Sequence, residues 1–291
     1  MTPKLIPIRN RLLDPRVYLL ILLLLSLVAA GACTPADSLP ARDWNPVNLQ
    51  QIKAAPSPTL TFAVLADNRG NPAVFDQLLR QIDRDPDIPF AIHLGDMVEK
   101  ADLGQYRLFF QEVRQNLHKP LVSVIGNHEL YGKKVDGLKM YRDLFGPNYF
   151  SFQIDGNYFI AIDDNGKTGL DEEQWQWLEQ ELQKAQSFRA RIIFLHKPLF
   201  DPEPDSKHPS GLAPESASRL AELFKKYQVT YIFAAHKHGY FAGQWDQLPY
   251  VITAGAGARL YGTDPRHYFY HYLKVSITGG KVEFQVQRLK D

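Results

Sequence analysis

The chain has 291 residues, of which 45% are hydrophobic and 22% are charged, the composition of an ordinary globular protein with a sizeable core. Its formal net charge of +1 excludes attraction of nucleic acid or membranes by overall charge alone. Any charged partner must therefore be recognised at a local site.

The chain begins with the pattern of an export signal, predicted over residues 1–33. Basic residues precede an apolar run at 17–32 that ends in small residues and is shorter than the roughly 20 residues of a membrane span. Cys33, the only cysteine, follows directly, so an internal disulfide is excluded. The segment resembles a bacterial lipoprotein signal, which predicts export to the periplasm or another extracytoplasmic space and lipid anchoring to the membrane at Cys33. An uncleaved N-terminal anchor and a plain secretory signal are the alternatives.

Residues 34–58 are rich in proline and polar side chains and are predicted to be a tether. Beyond it, residues 59–291 form one predicted domain, in which β-type runs alternate with helical patterns as in α/β proteins. Asp155-Gly156-Asn157 is a strong hairpin signal. In chain order, the predicted elements are strand 59–66, helix 72–84, strand 90–95, helix 104–117, strand 120–126, helix 138–145, strands 148–154 and 158–163, helix 171–186, strand 190–195, helix 214–227, and strands 229–235, 249–257, 268–277 and 281–289.

Polar side chains stand just past five of the predicted strands. In open α/β sheets, ligands bind outside the carboxyl ends of strands, so we expect these side chains to converge. Taken singly, each has an ordinary interpretation, such as a turn or a helix cap. Carboxylate, amide and imidazole ligands together suit manganese, iron or zinc better than calcium. The residues are Asp67, Asp96, Asn127, His196 and His236, joined by His238.

Four short motifs carry a resemblance to a known family. "GDMVE", "GNHE", "LHKP" and "AHKH", in this order after a strand that ends in Asp67, resemble the motifs of calcineurin-like metallophosphoesterases. The resemblance extends from about Leu60 to residue 257. It implies an α/β fold, a four-layer αββα sandwich of two mixed β-sheets flanked by helices, with a dinuclear metal site at the C-terminal ends of the strands.

The resemblance also implies roles for the matching residues. His128 would be an acid to the leaving group or a donor to phosphate, held in place by Glu129. A hydroxide that bridges two divalent metal ions, manganese, iron or zinc, would hydrolyse phosphomonoesters or phosphodiesters. Asp96 would bridge both ions; the other ligands would be Asn127, His196 and His236 at one ion, and Asp67 and His238 at the other.

Arg69 departs from the family pattern. Family members commonly have Asp-x-His where this chain has Asp67-Asn68-Arg69, and a guanidinium cannot bind a cation. In one interpretation Arg69 contacts the substrate phosphate as a catalytic residue. In a second it turns away into a structural ion pair, and another group or water fills the coordination position, with Glu99 as a candidate. In a third the site is weakened, and the chain is an envelope protein that binds phosphate-bearing ligands without hydrolysing them.

Substrate identity is less constrained than the chemistry. The proline-rich loop over 197–216 follows a predicted ligand and is expected to form one wall of the crevice, or else to be a surface excursion. No basic groove with interleaved aromatic residues is visible, which argues against a nucleic-acid substrate. The best-fitting substrate is a small phosphoester. The other histidines are predicted to be packing or surface residues: His93, His118, His208, His267 and His271.

Overall fold

Eleven strands form two mixed β-sheets within the part of the chain that the computed structural model describes, residues 39–53, 58–132, 135–167, 169–205 and 207–289. The strands are β1 (Thr59–Leu65), β2 (Ala91–His93), β3 (Leu121–Ser123), β4 (Phe150–Ile154), β5 (Asn157–Ala161), β6 (Ala190–Phe194), β7 (Tyr231–Ala234), β8 (Tyr240–Trp245), β9 (Leu248–Thr253), β10 (His271–Thr278) and β11 (Lys281–Arg288).

The two sheets are parallel at their centres and antiparallel at some edges. The first has the order β11-β10-β1-β2-β3, in which β1, β2 and β3 are parallel. The second has the order β4-β5-β6-β7-β9-β8, in which β5, β6, β7 and β9 are parallel. The parallel strands are almost continuously apolar because both of their faces are covered. Their carboxyl ends meet at one edge of each sheet.

Phenylalanine rings join the two sheets face to face. The ring of Phe62 on β1 lies 5.8 Å from Phe159 on β5 and 6.4 Å from both Phe194 on β6 and Phe233 on β7. These contacts are edge-on, which is a favoured geometry for aromatic pairs. The sheets therefore share one core.

Helices cover the outer faces of both sheets. On the first sheet, Phe75 and Phe109 stack 5.9 Å apart and both pack on His93 of β2. On the second, Leu178 and Leu220 enter the shared hydrophobic cluster. The predicted four-layer αββα sandwich is confirmed. The helices are α1 (Trp44–Gln51), α2 (Pro72–Arg84), α3 (Leu103–Asn116), α4 (Gly137–Phe145), α5 (Glu172–Ala185) and α6 (Pro214–Lys226), with a 3₁₀ turn at His128–Leu130.

Helix α1 lies inside the segment that was predicted to be a tether. Trp44 Nε1 donates to the carbonyl of Leu121 at 2.7 Å. Asn45 pairs with both backbone groups of Ser123 at 2.7 and 2.8 Å, so α1 covers the edge strand β3. The tether prediction over 34–58 is therefore wrong for residues 44–51. The buried side chains of α1 include Asn45 and Asn48, so hydrophobic periodicity could not reveal it.

The two hairpins of the second sheet differ in how visible they are in sequence. The predicted hairpin between β4 and β5 is confirmed, and Asp155 and Gly156 both have positive φ at its turn. Strand β8 was not predicted. It pairs with β9 through Asp246 and Gln247, which also have positive φ but contain no glycine to mark the turn.

The predictions for the N-terminus concern residues that the structure does not describe. The signal segment over 1–33 and its Cys33 lie outside the described residues. Within the described residues, no helix combines the length and apolar character needed to cross a membrane.

Candidate metal centre

The six predicted metal ligands all lie in loops that directly follow strands, at one edge of the sandwich. They form two groups that share Asp96, and within each group the potential ligand atoms of the aspartates and histidines lie within 4.8 Å of one another. We call Asp96, Asn127, His196 and His236 the Asn127 group. We call Asp67, Asp96 and His238 the His238 group.

The backbone is strained at three of these positions. Asp67, Asp96 and His236 have φ values of 59°, 58° and 65°, in the left-handed region that most residues avoid. Such conformations persist where the surrounding structure enforces them, and they cluster at functional sites. Each turns the chain sharply at a strand end, so that the side chain points to the shared edge.

Gly126 allows two of these loops to touch. A Cβ atom at this position would lie 2.3 Å from the backbone nitrogen of Asp96 and 2.8 Å from Oε2 of Glu129. No larger residue fits without moving Asp96. The glycine of "GNHE" is therefore required by the close approach of the Asp96 loop.

The Asn127 group directs its lone pairs at one another. Nδ1 of His196 lies 2.8 Å from the carbonyl of Leu94 and must donate to it, so Nε2 carries the lone pair in the neutral ring. That Nε2 lies 3.0 Å from Asn127 Oδ1, 3.3 Å from Asp96 Oδ1 and 3.2 Å from His236 Nδ1. Asn127 is oriented by Tyr131, whose hydroxyl accepts from Nδ2 at 2.9 Å. Acceptors that face each other in a buried site favour a cation between them, and this donor set fits a divalent metal.

Titration of the histidines also reflects an anionic site. Burial alone would lower the pKa of His196, but the carboxylates of Asp96 and Asp67 outweigh burial and raise it. At His236, burial and the neighbouring His196 lower the pKa well below its usual value. Burial opposes ionisation of Asp67, yet His238, His196 and His236 together outweigh burial and lower the carboxyl pKa. The site thus favours positive charge near His196.

Arg69 contacts the His238 group. Nδ1 of His238 donates to the carbonyl of Arg259 at 2.7 Å, which leaves the Nε2 lone pair facing Asp67 Oδ1 at 3.3 Å. Arg69 donates from Nη2 to that Nε2 at 3.3 Å and from Nε to Asp96 Oδ2 at 3.3 Å. Within the described residues, Asp67 Oδ1 receives no hydrogen bond.

Glu99 binds Arg69. Nη1 of Arg69 donates to both carboxylate oxygens of Glu99, at 3.1 and 3.0 Å. Arg69 therefore points into the site and forms an ion pair there. The interpretation in which it turns away into an ion pair is wrong, and contact with a substrate phosphate stays a prediction. The idea that Glu99 replaces the missing histidine ligand is not supported, because its carboxylate is engaged by the guanidinium.

Glu129 holds the loops that carry the ligands. Its Oε2 accepts from the backbone of Asp96 at 2.8 Å and of Gly126 at 2.7 Å, and its Oε1 accepts from Met97 at 2.8 Å. The expectation that Glu129 positions the ring of His128 is wrong, because both carboxylate oxygens accept hydrogen bonds from backbone N–H groups instead. Burial, reinforced by Asp96, raises the pKa of Glu129 to about 7.

His128 lies at the mouth of the site. Its Nδ1 donates to the carbonyl of Glu99 at 2.8 Å, and its backbone nitrogen donates to Asp96 Oδ1 at 3.0 Å. Nε2 lies 3.8 Å from Asp96 Oδ2, and the side chain is 17% exposed. The ring therefore borders the candidate metal ligands and is partly open to solvent.

Three residues at the site were missed in the sequence. Tyr131 orients Asn127, and Tyr261 stacks on His238 with ring centroids 4.1 Å apart. Asp164 is fully buried after β5, where burial raises its pKa to about 7 and its Oδ2 accepts from the Lys197 backbone at 2.6 Å. Asp164 could have been found, because it obeys the same strand-end rule as the ligands. The tyrosines carry no comparable signal.

The loop over 197–216 borders the site in its described part. His208 stacks on Tyr261 at 4.4 Å, and Tyr261 in turn stacks on His238. The buried ammonium of Lys237 lies 3.4 Å from carboxylates of both Asp201 and Glu203, which ties the loop to the ligand-bearing segment. The loop is therefore a wall beside His238 and not a distant excursion, and His208 is part of that wall.

Comparisons with known sequences agree with this geometry. Residues 60–240 match the family described as "Calcineurin-like phosphoesterase". The chain is 26% identical over 201 residues to a protein of Arcobacter nitrofigilis named "Probable glycerophosphodiester phosphodiesterase GpdQ", covering 67% of this chain and 72% of the relative. It is 27% identical over 204 residues to "Acid phosphatase type 7" of Mus musculus, covering 60% of this chain and 45% of the relative. The chain thus spans about half the length of the acid phosphatase.

Solved structures share the fold. A purple acid phosphatase from seeds of yellow lupin (Lupinus luteus) superposes with a TM-score of 0.66 at 16% identity, over 81% of this chain and 52% of that chain. A dimetal phosphatase from Danio rerio superposes with a TM-score of 0.52 at 15% identity, over 79% of this chain and 99% of that chain. At these identities the likeness concerns the fold alone.

Proposed function

Because this chain belongs to the calcineurin-like phosphoesterase family, we propose that it hydrolyses small phosphomonoesters or phosphodiesters at the metal centre around Asp96. One observation carries the proposal. His196 Nε2 lies within 3.3 Å of Asn127 Oδ1 and Asp96 Oδ1, a buried convergence of acceptors that a divalent cation would stabilise. Similarity to proteins named as a phosphodiesterase and an acid phosphatase supports both ester classes as substrates.

The residues of the Asn127 group would hold the metal in a fixed geometry. Manganese, iron or zinc bound there would act as a Lewis acid on phosphate and lower the pKa of a nucleophilic water. His196 is fixed by the carbonyl of Leu94, and Asn127 is fixed by the hydroxyl of Tyr131. Such outer contacts orient metal ligands and preserve affinity. The two-metal mechanism implied by the family also needs a cation in the His238 group.

His128 would handle the leaving group. Its Nδ1 proton is committed to the carbonyl of Glu99, so a proton on Nε2 makes the ring an imidazolium at the edge of the site. That proton can pass to the departing oxygen or bind a phosphoryl oxygen. A positioned imidazole acting as a general acid contributes about 10²–10⁴-fold to rate.

The direct test is turnover by the purified full chain. Hydrolysis of p-nitrophenyl phosphate and of bis(p-nitrophenyl) phosphate should require added manganese, iron or zinc and should stop on chelation. Asp96→Asn should remove turnover. The matched surface variant Asp246→Asn should keep it, because Asp246 pairs only with Lys225 in the described contacts. Turnover that persists in Asp96→Asn, or its absence with every metal, contradicts the proposal.

One observation favours a second candidate function, a non-catalytic protein that binds phosphate-bearing ligands. Arg69 lies across the His238 group, so the centre differs from a two-metal site in its ligands. In that case metal content would be substoichiometric, and binding of inorganic phosphate would survive chelation. Calorimetric titration with phosphate, before and after chelation, separates the two functions.

We also propose that the chain acts outside the cytoplasm, anchored by a lipid at Cys33. The support is the charged and apolar pattern over residues 1–33 that ends at the single cysteine. Radiolabelled fatty acid should be incorporated into the wild-type chain and not into Cys33→Ser. Equal labelling of both would contradict the proposal.

A further inference from the structure

We infer that the guanidinium of Arg69 takes the place of the second metal ion, so that the chain binds one divalent metal, in the Asn127 group. The inference rests on the proposed function, because it specifies how the same site is charged during hydrolysis. The evidence is the set of hydrogen bonds that the Arg69 side chain makes with the His238 group.

Asp96 divides its two oxygens between the two groups. Oδ1 lies 3.3 Å from His196 Nε2, in the Asn127 group. Oδ2 accepts from Arg69 Nε at 3.3 Å, on the side of the His238 group. A carboxylate can bridge two cations with one oxygen for each, and here one of those oxygens meets the arginine. The guanidinium therefore occupies the contact that a second ion would make in such a bridge.

The ligating nitrogen of His238 is also engaged by Arg69. Nε2 is the only ring atom available to a metal, because Nδ1 donates to the carbonyl of Arg259. Arg69 Nη2 donates to that Nε2 at 3.3 Å. The two groups thus differ in kind. In the Asn127 group the lone pairs face one another, whereas in the His238 group the chain itself supplies a permanently charged donor.

Arg69 is anchored in this position. Both oxygens of Glu99 accept from Nη1, and the arginine side chain is only 14% exposed. The carboxylates of Asp67, Asp96 and Glu99 all favour its positive charge. A metal ion entering the His238 group would have to displace the guanidinium from Asp96 and His238 together. The charge-assisted contacts with Glu99, at 3.1 and 3.0 Å, would oppose this displacement.

A guanidinium in place of the second metal ion offers different chemistry at that position. A guanidinium cannot lower the pKa of a bound water as a metal does, but its planar N–H donors suit phosphoryl oxygens. It is also not removed by chelators. Arg69 would therefore neutralise phosphate beside a single metal ion, which acts from the Asn127 group.

Metal stoichiometry tests this inference without relying on activity. The full chain, loaded with Mn²⁺ and freed of unbound ion, should contain one manganese per chain by elemental analysis. Arg69→His and Arg69→Ala should each raise the content toward two, with the electron paramagnetic resonance signal of a spin-coupled pair. Arg69→Lys, which keeps the charge, should stay at one. The matched surface variant Arg219→His should also stay at one, since Arg219 pairs with Glu172 on helix α5.

The outcomes separate this inference from the proposed function. Two manganese ions in the wild type overturn the inference and leave a metal-dependent hydrolase intact. One ion in both Arg69→His and Arg69→Ala also overturns it, because Arg69 would then not be what excludes the second ion. No bound metal in the wild type overturns both. Circular dichroism of each variant checks that the sandwich is folded.

Discussion

The Asn127 group and the His238 group share the carboxylate of Asp96, and both lie in loops that follow strands. The negative charge of the two groups is balanced differently. In the Asn127 group, His196 Nε2 faces two oxygen acceptors, Asn127 Oδ1 at 3.0 Å and Asp96 Oδ1 at 3.3 Å, which favours an external cation. In the His238 group, Arg69 donates to Asp96 and His238. A ligand set recognised from spacing can therefore be intact while, as we infer, part of its positive charge comes from the protein itself.

Asp96→Asn breaks both groups at once. The change removes the charge that faces His196 and Arg69, so metal binding should weaken and the guanidinium should lose a partner. Loss of the metal's contribution, several kcal/mol, corresponds to about 10³-fold or more in kcat. Kinetics of aryl phosphate hydrolysis and elemental analysis measure the two effects. Full manganese content with unchanged kcat would show that Asp96 is not shared as described.

His128→Ala separates chemistry from metal binding. The imidazole borders both groups but belongs to neither, so metal content should not change. We expect kcat to fall by about 100-fold, within the range for general acid catalysis, and to fall most with poor leaving groups. Comparing phenyl with p-nitrophenyl phosphate measures this dependence. An equal loss for both esters would argue for a phosphate-binding role without proton transfer.

Tyr131→Phe loosens the Asn127 group without removing a ligand. The hydroxyl that orients Asn127 is lost, and the aromatic contact with His128 remains. Loss of an outer contact of this kind should weaken manganese affinity by about 10-fold, with kcat restored at saturating metal. Tyr227→Phe, whose hydroxyl bonds Glu179 at 3.0 Å on the surface, is the control and should leave affinity unchanged. Identical manganese affinities in both variants would show that the Tyr131 hydroxyl does not support metal binding.

His271 offers a pH effect that lies outside both groups. Burial lowers its pKa from 6.5 to about 4, and the neutral ring bonds Thr253 and the carbonyl of Phe269. The unfolded chain binds this proton at a higher pH than the folded chain does, so acidification from pH 6.5 toward 4 should lower the free energy of unfolding, by up to about 3 kcal/mol. Above pH 6.5 this contribution is complete.

Urea unfolding of chelated protein at several pH values measures this slope. His271→Gln should flatten it, whereas His118→Gln, at an exposed position paired with Asp83, should retain it. Parallel slopes for wild type and His271→Gln would assign the acid sensitivity to other groups, including the metal ligands.

The sandwich and the ligand positions could be predicted because both depend on local patterns. Apolar runs that end in polar residues mark parallel strands and their carboxyl ends, and this places Asp67, Asp96 and Asn127 correctly. Helix α1 was not predicted because asparagine amides, and not apolar side chains, make its buried contacts with edge strand β3. Strand β8 was not predicted because its turn, Asp246-Gln247, lacks the glycine that usually marks a hairpin.

Within the site, residue types could be predicted and their partners could not. Glu129 stands beside His128 in the chain, yet its carboxylate reaches the backbone of the Asp96 loop. The direction of Arg69 likewise depends on Glu99, thirty positions away, and on His238 in the loop between β7 and β8 of the second sheet. Such contacts are set by how the two sheets pack, which the spacing of motifs does not encode.

Anomalous scattering from crystals of the full chain grown with Mn²⁺ would locate every bound manganese ion. We expect one manganese peak, within coordination distance of His196 Nε2 and Asn127 Oδ1, with the guanidinium of Arg69 still on Asp96 Oδ2. A second peak between Asp67 and His238 with Arg69 displaced, or no peak beside His196, would contradict this arrangement.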